Sequence, residues 1–484
     1  MRYCFVGTAG TGKTTALIRE VVKAIEDGMN PQEITVLTFS RAAARNFLRR
    51  AGDLTRGAFV GTMHSWALNL LRRFASYLRL PRGFNVDTPE RIESARPYVR
   101  ACLSFDELIT LADDALQHLL VARDYVRQTA RLLVVDEIHD YDTPQLRLLT
   151  TLMGLAKDFV AAYDKEQTIY AFRGAAPEEV EATLYRAGVE FVTLETAYRF
   201  ERDPESLPPL KVFVDREAEG RYLAETAFRQ EGTTAILTRT RQAAAQLSRF
   251  FPPDGFLNAA GRYSLLTHRG VRALLAPLRL AVNPWDYIAC LDFSAIAAVD
   301  ANEVAVTAMN KGTHYAAALT TLLRLRISEE AAVSFERVRR AANASEALNN
   351  AYVLTVQAGR ADKRWQAEEG AVRFTDALQH TAADWEQWRV QDFLAWLVSP
   401  DFEGDEARYP VVLSTIHAAK GKEWDNVFVA ACDRFAPHKE SDLDEERRVF
   451  YVACTRARRR LFLTAAGSSV PSFLPIKEIE NADT

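Results

Sequence analysis

The chain opens with Arg2-Tyr-Cys-Phe-Val6, continues through Gly7-Thr-Ala-Gly-Thr-Gly12-Lys13-Thr14-Thr15, and then reads Ala16-Leu-Ile-Arg-Glu-Val-Val-Lys-Ala-Ile25. The first stretch is apolar and β-prone, the last has helical spacing, and the middle has the spacing G-x-x-x-x-G-K-T. Glycines let successive backbone N–H groups turn inward around phosphate oxygens, and a helix N-terminus adds partial positive charge. Because strand, loop and helix follow in this order, a chance glycine-rich turn is the less favoured interpretation.

This stretch predicts a site for a nucleoside triphosphate and Mg²⁺. Lys13 is expected to reach the β- and γ-phosphates, and the Thr14 hydroxyl is expected to ligate Mg²⁺. The residues predicted to surround the nucleotide are Gly7, Thr8, Ala9, Gly10, Thr11, Gly12, Lys13, Thr14 and Thr15.

Length and composition indicate a globular protein of two to four domains. The 484 residues exceed one ordinary core, 48% are hydrophobic and 26% are charged. No stretch approaches the length of an apolar membrane span, and the glycine-rich loop begins too early for a signal peptide, so a cytosolic location is expected. The five cysteines are scattered, which argues against a disulfide framework and against a zinc or iron–sulfur site.

Strand-like and helix-like segments alternate over the first half of the chain. Residues 34–39, 59–62 and 132–135 read as strands, which predicts a parallel α/β sheet with its ligands at the carboxyl ends of the strands. Residues 80–125 show helix-like spacing and little strand signal, and are expected to form a small helical insertion.

Acidic and polar residues follow two of these strands. Asp136 and Glu137 end an apolar run, and we expect Asp136 to hold Mg²⁺ and Glu137 to polarise the attacking water. Gln167, just after a strand at 159–164, is a candidate sensor of the γ-phosphate. An ordinary acidic pair at a strand end is the alternative, but the glycine-rich loop makes it less favoured.

The second half predicts another sheet, with strands at 191–195, 235–239, 411–416, 426–431 and 461–464. It has no second phosphate loop, so one nucleotide site must serve both sheets. Arg448 and Arg456 lie eight residues apart on an apparent helix over 444–458 and so share a face. An arginine that enters from across a cleft would stabilise charge on the γ-phosphoryl group.

Ordered motifs over residues 1–463 resemble those of UvrD/Rep-type superfamily 1 helicases. They are Gly7–Thr14, Thr38-Phe39-Ser40, Gly61-Thr62-Met63-His64-Ser65, Asp136-Glu-Ile-His-Asp140, Gln167-Thr-Ile-Tyr-Ala-Phe-Arg-Gly-Ala175, Tyr198-Arg199, Thr415-Ile-His417-Ala-Ala-Lys420-Gly421-Lys-Glu423 and Thr455-Arg456.

The resemblance implies roles for further residues. Arg199 and Arg456 would contact the γ-phosphate, Tyr198 would stack on adenine and Glu423 would approach the ribose, whereas Arg448 is expected in a solvated or intradomain ion pair. Phe39 has a core role as its alternative, and His64 and His417 could merely satisfy backbone groups. The residues implied to contact single-stranded DNA are Thr38, Phe39, His64, Phe172, Arg173, Arg239 and His417.

The chain departs from the family pattern at several positions. His139 stands where a glutamine is expected to couple the two sites, and Tyr163-Asp164 replaces Gly-Asp. The upstream glutamine that recognises adenine has no counterpart before Arg2, so strict preference for ATP is in doubt. Trp365, Trp385, Trp388 and Trp396 have helix-like spacing, which favours a packed bundle over a base-stacking surface.

The sequence therefore predicts an α/β protein with two RecA-like parallel-sheet domains, a P-loop NTPase fold, and two mainly helical insertions. The first domain is expected over 1–80 and 126–188 with an insertion at 81–125, and the second over 189–286 and 406–484 with an accessory insertion at 287–405. The implied activity is ATP- and Mg²⁺-dependent DNA translocation and unwinding, 3′ to 5′. The alternative is a nucleotide-gated DNA-binding subunit of a nuclease, replication or repair complex.

The expected partners are single-stranded DNA, junctions of single- and double-stranded DNA, and proteins of replication, repair or nuclease complexes. We expect no membrane association, a monomer in solution, and a bacterial or phage-encoded protein of the cytoplasm that associates with the nucleoid.

Overall fold

The structure is a computed structural model that describes residues 1–80, 84–86, 102–171, 174–196, 206–252, 256–259, 266, 268–379, 384–397, 409–436, 442–467 and 470–482. The chain divides into two compact units. We call Met1–Leu71, Ile109–Gly261 and Asp405–Thr484 the sheet unit, and Arg72–Leu108 with Arg262–Gly404 the helical unit.

The strands are numbered in chain order. They are β1 Arg2–Val6, β2 Ile34–Thr38, β3 Phe59–Thr62, β4 Asn85–Val86, β5 Cys102–Leu103, β6 Leu132–Val135, β7 Asp158–Tyr163, β8 Glu190–Thr193, β9 Leu210–Phe213, β10 Thr234–Thr238, β11 Phe256–Asn258, β12 Val411–Thr415, β13 Trp424–Ala430, β14 Ala457–Ala466 and β15 Ile479–Asn481.

The α-helices are numbered in the same way. They are α1 Lys13–Glu26, α2 Arg41–Ala51, α3 Met63–Arg73, α4 Phe105–His118, α5 Leu120–Thr129, α6 Thr143–Leu155, α7 Pro177–Arg186, α8 Arg216–Ala227, α9 Arg241–Ser248, α10 Arg269–Val282, α11 Tyr287–Ser294, α12 Ala301–Lys311, α13 Tyr315–Arg326, α14 Glu329–Arg340, α15 Ala344–Ala358, α16 Arg364–Gln379, α17 Val390–Leu397, α18 Ile416–Ala419 and α19 Leu443–Cys454.

The first sheet has the order β3-β2-β6-β7-β1-β8, and every pair in it is parallel. Its core is apolar because the strands are short runs of Val, Leu and Ile that α1 and α2 cover, with Leu17, Val36 and Phe47 fully buried. We call this sheet with its helices the first lobe. The strand order matters for the site because β7 lies directly beside β1 and its glycine-rich loop, β6 is the next strand along, and polar residues follow both of them.

One predicted strand belongs to the other sheet. The segment at 191–195 was expected in the second sheet, but β8 pairs in parallel with β1, from Tyr3 with Glu190 to Val6 with Thr193. The prediction was wrong because α7 returns the chain to the open edge of β1, where a parallel strand can be added after a helical crossover.

The second sheet, also parallel, has the order β11-β12-β10-β13-β14-β9-β15. We call this sheet with its helices the second lobe. Helix α19, which precedes β14, ends at Cys454, and β14 begins at Ala457. The helix predicted over 444–458 is therefore shorter than expected. Arg456 therefore lies in the turn between helix and strand rather than on the helix itself.

The helical unit contains α10 to α17 and apolar clusters of its own. Helix α10 crosses α16 closely at two glycines: a Cβ atom on Gly370 would lie 2.6 Å from the carbonyl carbon of Gly270. Trp396 is buried in one cluster, and Trp385 and Trp388 pack against it, whereas Trp365 is 58% exposed. The predicted packed bundle is thus found for three of the four tryptophans.

The observed units differ in their bounds from the domains expected from the sequence. Residues 109–125, expected in the small insertion, group with the sheet unit, and α10, expected in the second domain, groups with the helical unit. The insertion also contains the short parallel pair of β4 and β5, which the helix-like spacing did not predict. Among the described residues, no helix combines the length and apolarity needed to cross a membrane.

Candidate functional site

The glycine-rich loop joins β1 to α1 in a shape that glycine permits. Gly10 and Gly12 both have φ of 84°, a left-handed conformation that side chains other than glycine rarely adopt. Gly7 is required for a different reason, since a Cβ atom there would lie 2.5 Å from Thr11 Oγ1. The loop closes on itself through a hydrogen bond of 3.0 Å from Thr11 Oγ1 to the Thr8 carbonyl oxygen.

Lys13 begins α1 and turns its ammonium group back into the loop. Its Nζ donates to the carbonyl oxygens of Gly7 and Thr8, at 2.7 and 2.9 Å, and to Asp164 Oδ2 at 2.8 Å. The side chain is 7% exposed. The ammonium is therefore held at the mouth of the phosphate loop, with partners that triphosphate oxygens can replace.

Thr14 and Asp136 place a hydroxyl and a carboxylate side by side next to the loop. Asp136 directly follows the first-lobe strand β6, and its Oδ2 accepts a hydrogen bond of 2.9 Å from Thr14 Oγ1. Burial, together with the neighbouring Glu137 carboxylate, raises the pKa of Asp136 to about 6. A buried carboxylate beside a hydroxyl fits the preference of Mg²⁺ for oxygen ligands, so these two side chains suit the predicted metal.

Glu137 lies at the next position in an unusual backbone conformation. Its φ is 56°, which is uncommon for a residue other than glycine. Its Oε2 lies 3.2 Å from His139 Nε2 and 3.4 Å from Lys420 Nζ. Burial alone would raise the pKa of Glu137, but the Lys420 ammonium and the His139 ring hold it well below its usual range.

Gln167 connects the phosphate loop with an arginine of the second lobe. Its Nε2 donates to Asp164 Oδ2 at 2.5 Å, the same oxygen that Lys13 contacts. Its Oε1 accepts a hydrogen bond of 3.0 Å from an Nη of Arg456, whose side chain is almost fully buried. Lys13, Asp164, Gln167 and Arg456 thus form one continuous polar chain across the cleft between the two lobes.

Three further contacts were not assigned from the sequence. Lys420 reaches from the second lobe to Asp140 Oδ2 at 2.5 Å. Burial raises the pKa of Tyr451 to about 12, and its hydroxyl bonds to the backbone of Ala9 in the phosphate loop. Asp164 is the shared partner of Lys13 and Gln167. The position of β7 next to β1 is what makes Asp164 part of the site, and a strand order is not readable from local sequence.

The expectation for Arg448 was wrong. It was predicted in a solvated or intradomain ion pair, but its Nε donates 2.9 Å to the carbonyl oxygen of Thr168, which belongs to the first lobe. The helix α19 lies in the cleft, so a side chain on its inner face meets the other lobe rather than solvent.

Aromatic residues from both lobes meet in one place, where Phe39 and His417 are half-buried and Tyr170 is buried. The rings of Phe39 and Tyr170 have centroids 4.7 Å apart, and those of Tyr170 and His417 are 5.7 Å apart. The Tyr170 hydroxyl donates 3.1 Å to the carbonyl oxygen of His417. We call Phe39, Tyr170 and His417 the aromatic surface; two of its three members were predicted to contact a nucleic-acid strand, and Tyr170 was not.

The other residues predicted to contact nucleic acid are not members of this aromatic group. Thr38 is buried and its hydroxyl donates to the Ser40 carbonyl, while His64 is the second residue of α3. The Arg239 guanidinium forms a two-pronged ion pair with the buried Glu446 carboxylate, with a shortest distance of 2.6 Å. Glu423 is half-buried just before β13. Phe172, Arg173, Tyr198 and Arg199 lie outside the described residues.

The arrangement brings together side chains of the kinds that triphosphate hydrolysis uses. It has a glycine-rich loop, a lysine, a hydroxyl beside a carboxylate, a second carboxylate, and an arginine that enters from the second lobe. The Glu137 carboxylate and the Arg456 guanidinium each contact a residue from the other lobe.

Two family models match this chain. The one described as the UvrD/REP helicase N-terminal domain matches residues 3–97 and 95–184, and the one described as the UvrD-like helicase C-terminal domain matches residues 394–468. The first contains the phosphate loop, Asp136, Glu137 and Gln167, and the second contains Lys420 and Arg456. The two models together match more than half of the chain.

Several curated proteins resemble nearly the whole chain. A probable DNA helicase II homolog of Rickettsia felis is 24% identical, with 95% of this chain and 89% of that protein covered. The ATP-dependent DNA helicase Rep of Escherichia coli is 23% identical over 94% of this chain and 87% of its own length. The ATP-dependent DNA helicase PcrA of Bacillus subtilis is 22% identical over 95% and 80%. Among solved structures, the Pif1 helicase of Candida albicans aligns with a TM-score of 0.28 at 16% identity, over 51% of this chain and 49% of that one.

Proposed function

Because the chain belongs to the UvrD/Rep helicase family, we propose that it is an ATP-dependent DNA helicase that moves along single-stranded DNA from 3′ to 5′. The observation that best supports a motor, beyond the family, is the polar chain from Lys13 through Asp164 and Gln167 to Arg456. A hydrolysis site whose parts belong to two lobes couples each reaction cycle to lobe movement.

We propose the following roles at the nucleotide. The loop from Gly7 to Thr15 wraps the phosphates, and Lys13 exchanges its carbonyl and Asp164 partners for phosphate oxygens. Thr14 and Asp136 would hold Mg²⁺, which when bound neutralises phosphate charge. Glu137 accepts the proton of the attacking water, and Arg456 stabilises charge on the γ-phosphoryl oxygens. Gln167 senses whether the γ-phosphate is bound. The proposal extends to Arg199 for the γ-phosphoryl group, Tyr198 for the base and Glu423 for the ribose.

The aromatic surface supports a strand-binding role. Stacking of a base on an aromatic ring contributes about 1–3 kcal/mol and tolerates any base, as movement along a strand requires. Phe39 and His417 are proposed as such contacts, together with Phe172, and Arg173 as a backbone contact. Thr38, His64 and Arg239 complete the proposed track, although the Arg239 guanidinium would have to share its donors with Glu446.

The first test is hydrolysis of ATP with and without an unstructured DNA oligonucleotide. Lys13→Ala and Glu137→Gln are expected to lower the DNA-stimulated kcat by about 10²-fold or more, since each removes a reacting or charge-stabilising group. Matched controls are Lys165→Ala and Glu178→Gln, which remove a lysine and a glutamate that pair with each other on the surface. Equal turnover of the site variants and the wild type would contradict the assignment.

The second test is strand displacement with a 3′ or a 5′ overhang and each of the four nucleoside triphosphates. A helicase of the proposed direction displaces only the substrate with the 3′ overhang. Hydrolysis without displacement of either substrate would instead indicate a DNA-binding subunit that does not unwind. The comparison of nucleotides measures how strictly the site selects adenine.

We further propose that the protein acts as a monomer at junctions of single- and double-stranded DNA, in the cytoplasm of a bacterial cell.

A further inference from the structure

The backbone of residues 167–170 joins the nucleotide site to the aromatic surface. At one end of this segment, the Gln167 side chain belongs to the polar chain that begins at Lys13. At the other end, the Tyr170 ring is a member of the aromatic surface, and its hydroxyl donates 3.1 Å to the carbonyl oxygen of His417. Because the two ends are so close in the chain, a displacement of this backbone changes both of them together.

Arg448 holds the segment from the second lobe. Its side chain is half-buried on α19, and its Nε donates 2.9 Å to the carbonyl oxygen of Thr168, a residue that is 1% exposed. A guanidinium stays charged in proteins, and a hydrogen bond from a charged donor is stronger than one from a neutral donor. Since the acceptor is a main-chain carbonyl, the contact fixes the backbone itself and not a side chain that can rotate.

Two other side chains of the second lobe contact the residue before Thr168. Lys420 donates 2.5 Å to the Gln167 carbonyl oxygen, in addition to its contacts with Asp140 and His139. Arg456 donates 3.0 Å to Gln167 Oε1. Both side chains lie at the catalytic centre, so their removal would alter hydrolysis directly as well as the position of the segment.

The partners of Arg448, by contrast, lie outside the catalytic centre. Among the described residues, it forms no hydrogen bond with the phosphate loop or with the acidic pair that follows β6. Its charge also reaches the exposed Glu178 carboxylate, whose pKa is lowered first by its own backbone N–H, then by Lys165 and by Arg448. Such an exposed charge contributes little to holding a side chain in place, so the Thr168 carbonyl is the contact that matters for the segment.

Helix α19 connects Arg448 with the arginine of the nucleotide site. The helix spans Leu443–Cys454, and Arg456 follows it in the turn before β14. An α-helix is stiff along its axis because each turn is hydrogen-bonded to the next. A shift of Arg456 toward a bound nucleotide is therefore carried by the helix to Arg448, and by its hydrogen bond to the Thr168 carbonyl.

We propose that Arg448 is a positioning residue that couples nucleotide binding at the phosphate loop to binding of single-stranded DNA at the aromatic surface, through its hydrogen bond to the Thr168 carbonyl. The inference rests on the proposed function, because it requires that both ligands bind. Coupling of two sites is reciprocal: the factor by which the nucleotide changes the Kd for the strand equals the factor by which the strand changes the Kd for the nucleotide. Arg448 sets the size of this coupling factor.

The test is the Kd of Arg448→Met for a fluorescent thymidine oligonucleotide, measured by anisotropy with and without a saturating non-hydrolysable ATP analogue and Mg²⁺. Methionine keeps an apolar stem and removes the donor. In the wild type, the coupling factor is expected to be about fivefold or more, and in the variant it is expected to fall below about twofold. The Kd of each ligand measured alone is expected to stay within about twofold of the wild-type value, because neither ligand touches Arg448 in the proposed sites.

Two comparison variants make the result specific. Arg447→Met changes the neighbouring residue of α19, which is 54% exposed and bonds to Asp444 and to the Phe473 carbonyl oxygen. It is expected to keep the wild-type coupling factor. Arg448→Lys keeps a charged donor on a long side chain and is expected to restore part of the factor, since an ammonium can donate to a carbonyl but not from the position of Nε.

The outcomes separate this inference from the proposed function. If the wild type binds no oligonucleotide, or if DNA does not stimulate its hydrolysis of ATP, the proposed function fails. If both activities are present, the inference about Arg448 is overturned by a wild-type coupling factor of one, by an unchanged factor in Arg448→Met, or by an equal fall in Arg447→Met.

A loss of structure is distinguished in the same experiment. Arg448→Gln, whose shorter side chain lacks the charged donor, takes the place of Arg448→Met if that variant does not fold, and the same criteria apply to it. If neither variant folds, or if either ligand alone binds outside the twofold range, the side chain supports the structure of the cleft and not the coupling, and the inference is likewise overturned.

Discussion

At the scale of single residues, the glycines of the phosphate loop are required for different physical reasons. Gly10 and Gly12 need their left-handed backbone, but Gly7 is held by contact: a Cβ atom there would lie 2.5 Å from Thr11 Oγ1 and 2.8 Å from the carbonyl oxygen of Leu194. Leu194 follows β8, so the loop is packed against the edge strand that the sequence placed in the other sheet.

Gly7→Ala is therefore expected to distort the loop rather than merely stiffen it. Thr11 could rotate, but the Leu194 carbonyl belongs to the backbone and cannot move cheaply. Overpacking of this kind costs about 1–3 kcal/mol. We expect a lower thermal midpoint and a raised KM for ATP, measured by scanning calorimetry and steady-state kinetics. A variant with the wild-type KM would show that the loop adapts without consequence for the nucleotide.

Arg456 is held in place by several groups at once. Its Nε donates 2.9 Å to the Val452 carbonyl oxygen, one Nη donates to Gln167 Oε1 and Thr455 Oγ1, both at 3.0 Å, and the other Nη donates to the Lys422 carbonyl oxygen at 3.4 Å. A planar guanidinium holds five N–H donors in a fixed geometry, whereas a lysine ammonium has three and cannot reproduce these contacts.

Arg456→Lys is expected to lower kcat by about 10²-fold or more while the KM for ATP changes little, since an arginine of this kind acts mainly in the transition state. The measurement is steady-state hydrolysis at saturating DNA. Arg458→Lys, two residues away and 44% exposed, serves as the control. If both variants lose activity equally, the loss comes from the turn and not from the guanidinium at position 456.

At the scale of elements, α19 is the part of the second lobe that faces the phosphate loop. Arg448 contacts the Thr168 carbonyl, Tyr451 contacts the backbone of Ala9, and Arg456 follows the end of the helix. Positions three and four apart lie on one face of a helix, so a single element presents all of these groups. A rotation of α19 would change the surroundings of the nucleotide and of Gln167 together.

The start of β13 is fixed to β10 by an acidic residue. Asp425 Oδ2 accepts hydrogen bonds from the backbone N–H and from the hydroxyl of Thr233, both at 2.9 Å. Burial opposes ionisation, but these bonds and the guanidinium groups of Arg458 and Arg459 lower the pKa of Asp425 below its usual value. Because the pKa is lower in the folded state, the stabilisation is complete above the usual pKa and is lost as pH falls through the folded value.

Asp425→Asn is accordingly expected to destabilise the sheet unit by about 1–2 kcal/mol near neutral pH, as hydrogen bonds to a charged group do. The difference from the wild type should shrink as pH falls below about 4 and through the lowered pKa of the folded state, where the wild-type carboxylate becomes protonated. Urea unfolding over this range measures it. A difference that is constant with pH would mean that the carboxylate charge contributes nothing.

At the scale of the molecule, the sheet unit and the helical unit each contain apolar clusters of their own. The sheet unit has its clusters around the two sheets, and the helical unit has clusters built from α10 to α17. All the residues proposed to bind nucleotide belong to the sheet unit. A ligand that binds only the native form of one unit stabilises that unit alone.

We therefore expect two transitions in scanning calorimetry, only one of which moves when a non-hydrolysable ATP analogue and Mg²⁺ are added. At a ligand concentration about one hundred times Kd the stabilisation amounts to about 2.7 kcal/mol. Lys13→Ala is the control, and its transitions should not respond to the analogue. A single transition that shifts as a whole would show that the two units unfold together.

The sequence by itself was enough for the local parts of this protein. The phosphate loop, the acidic pair at Asp136 and Glu137, the parallel sheets and the family all follow from residues that are neighbours in the chain, because glycine conformation, strand burial and helix starts are local requirements. The tertiary structure alone decided that β8 joins the first sheet, that Asp164 bridges Lys13 and Gln167, and that Lys420 faces Glu137. Lys13 and Asp164 are 151 positions apart in the chain, and Lys420 and Asp140 are 280 positions apart. Such pairs depend on strand order and on how the second lobe meets the first, and no property of either residue's own neighbours specifies them.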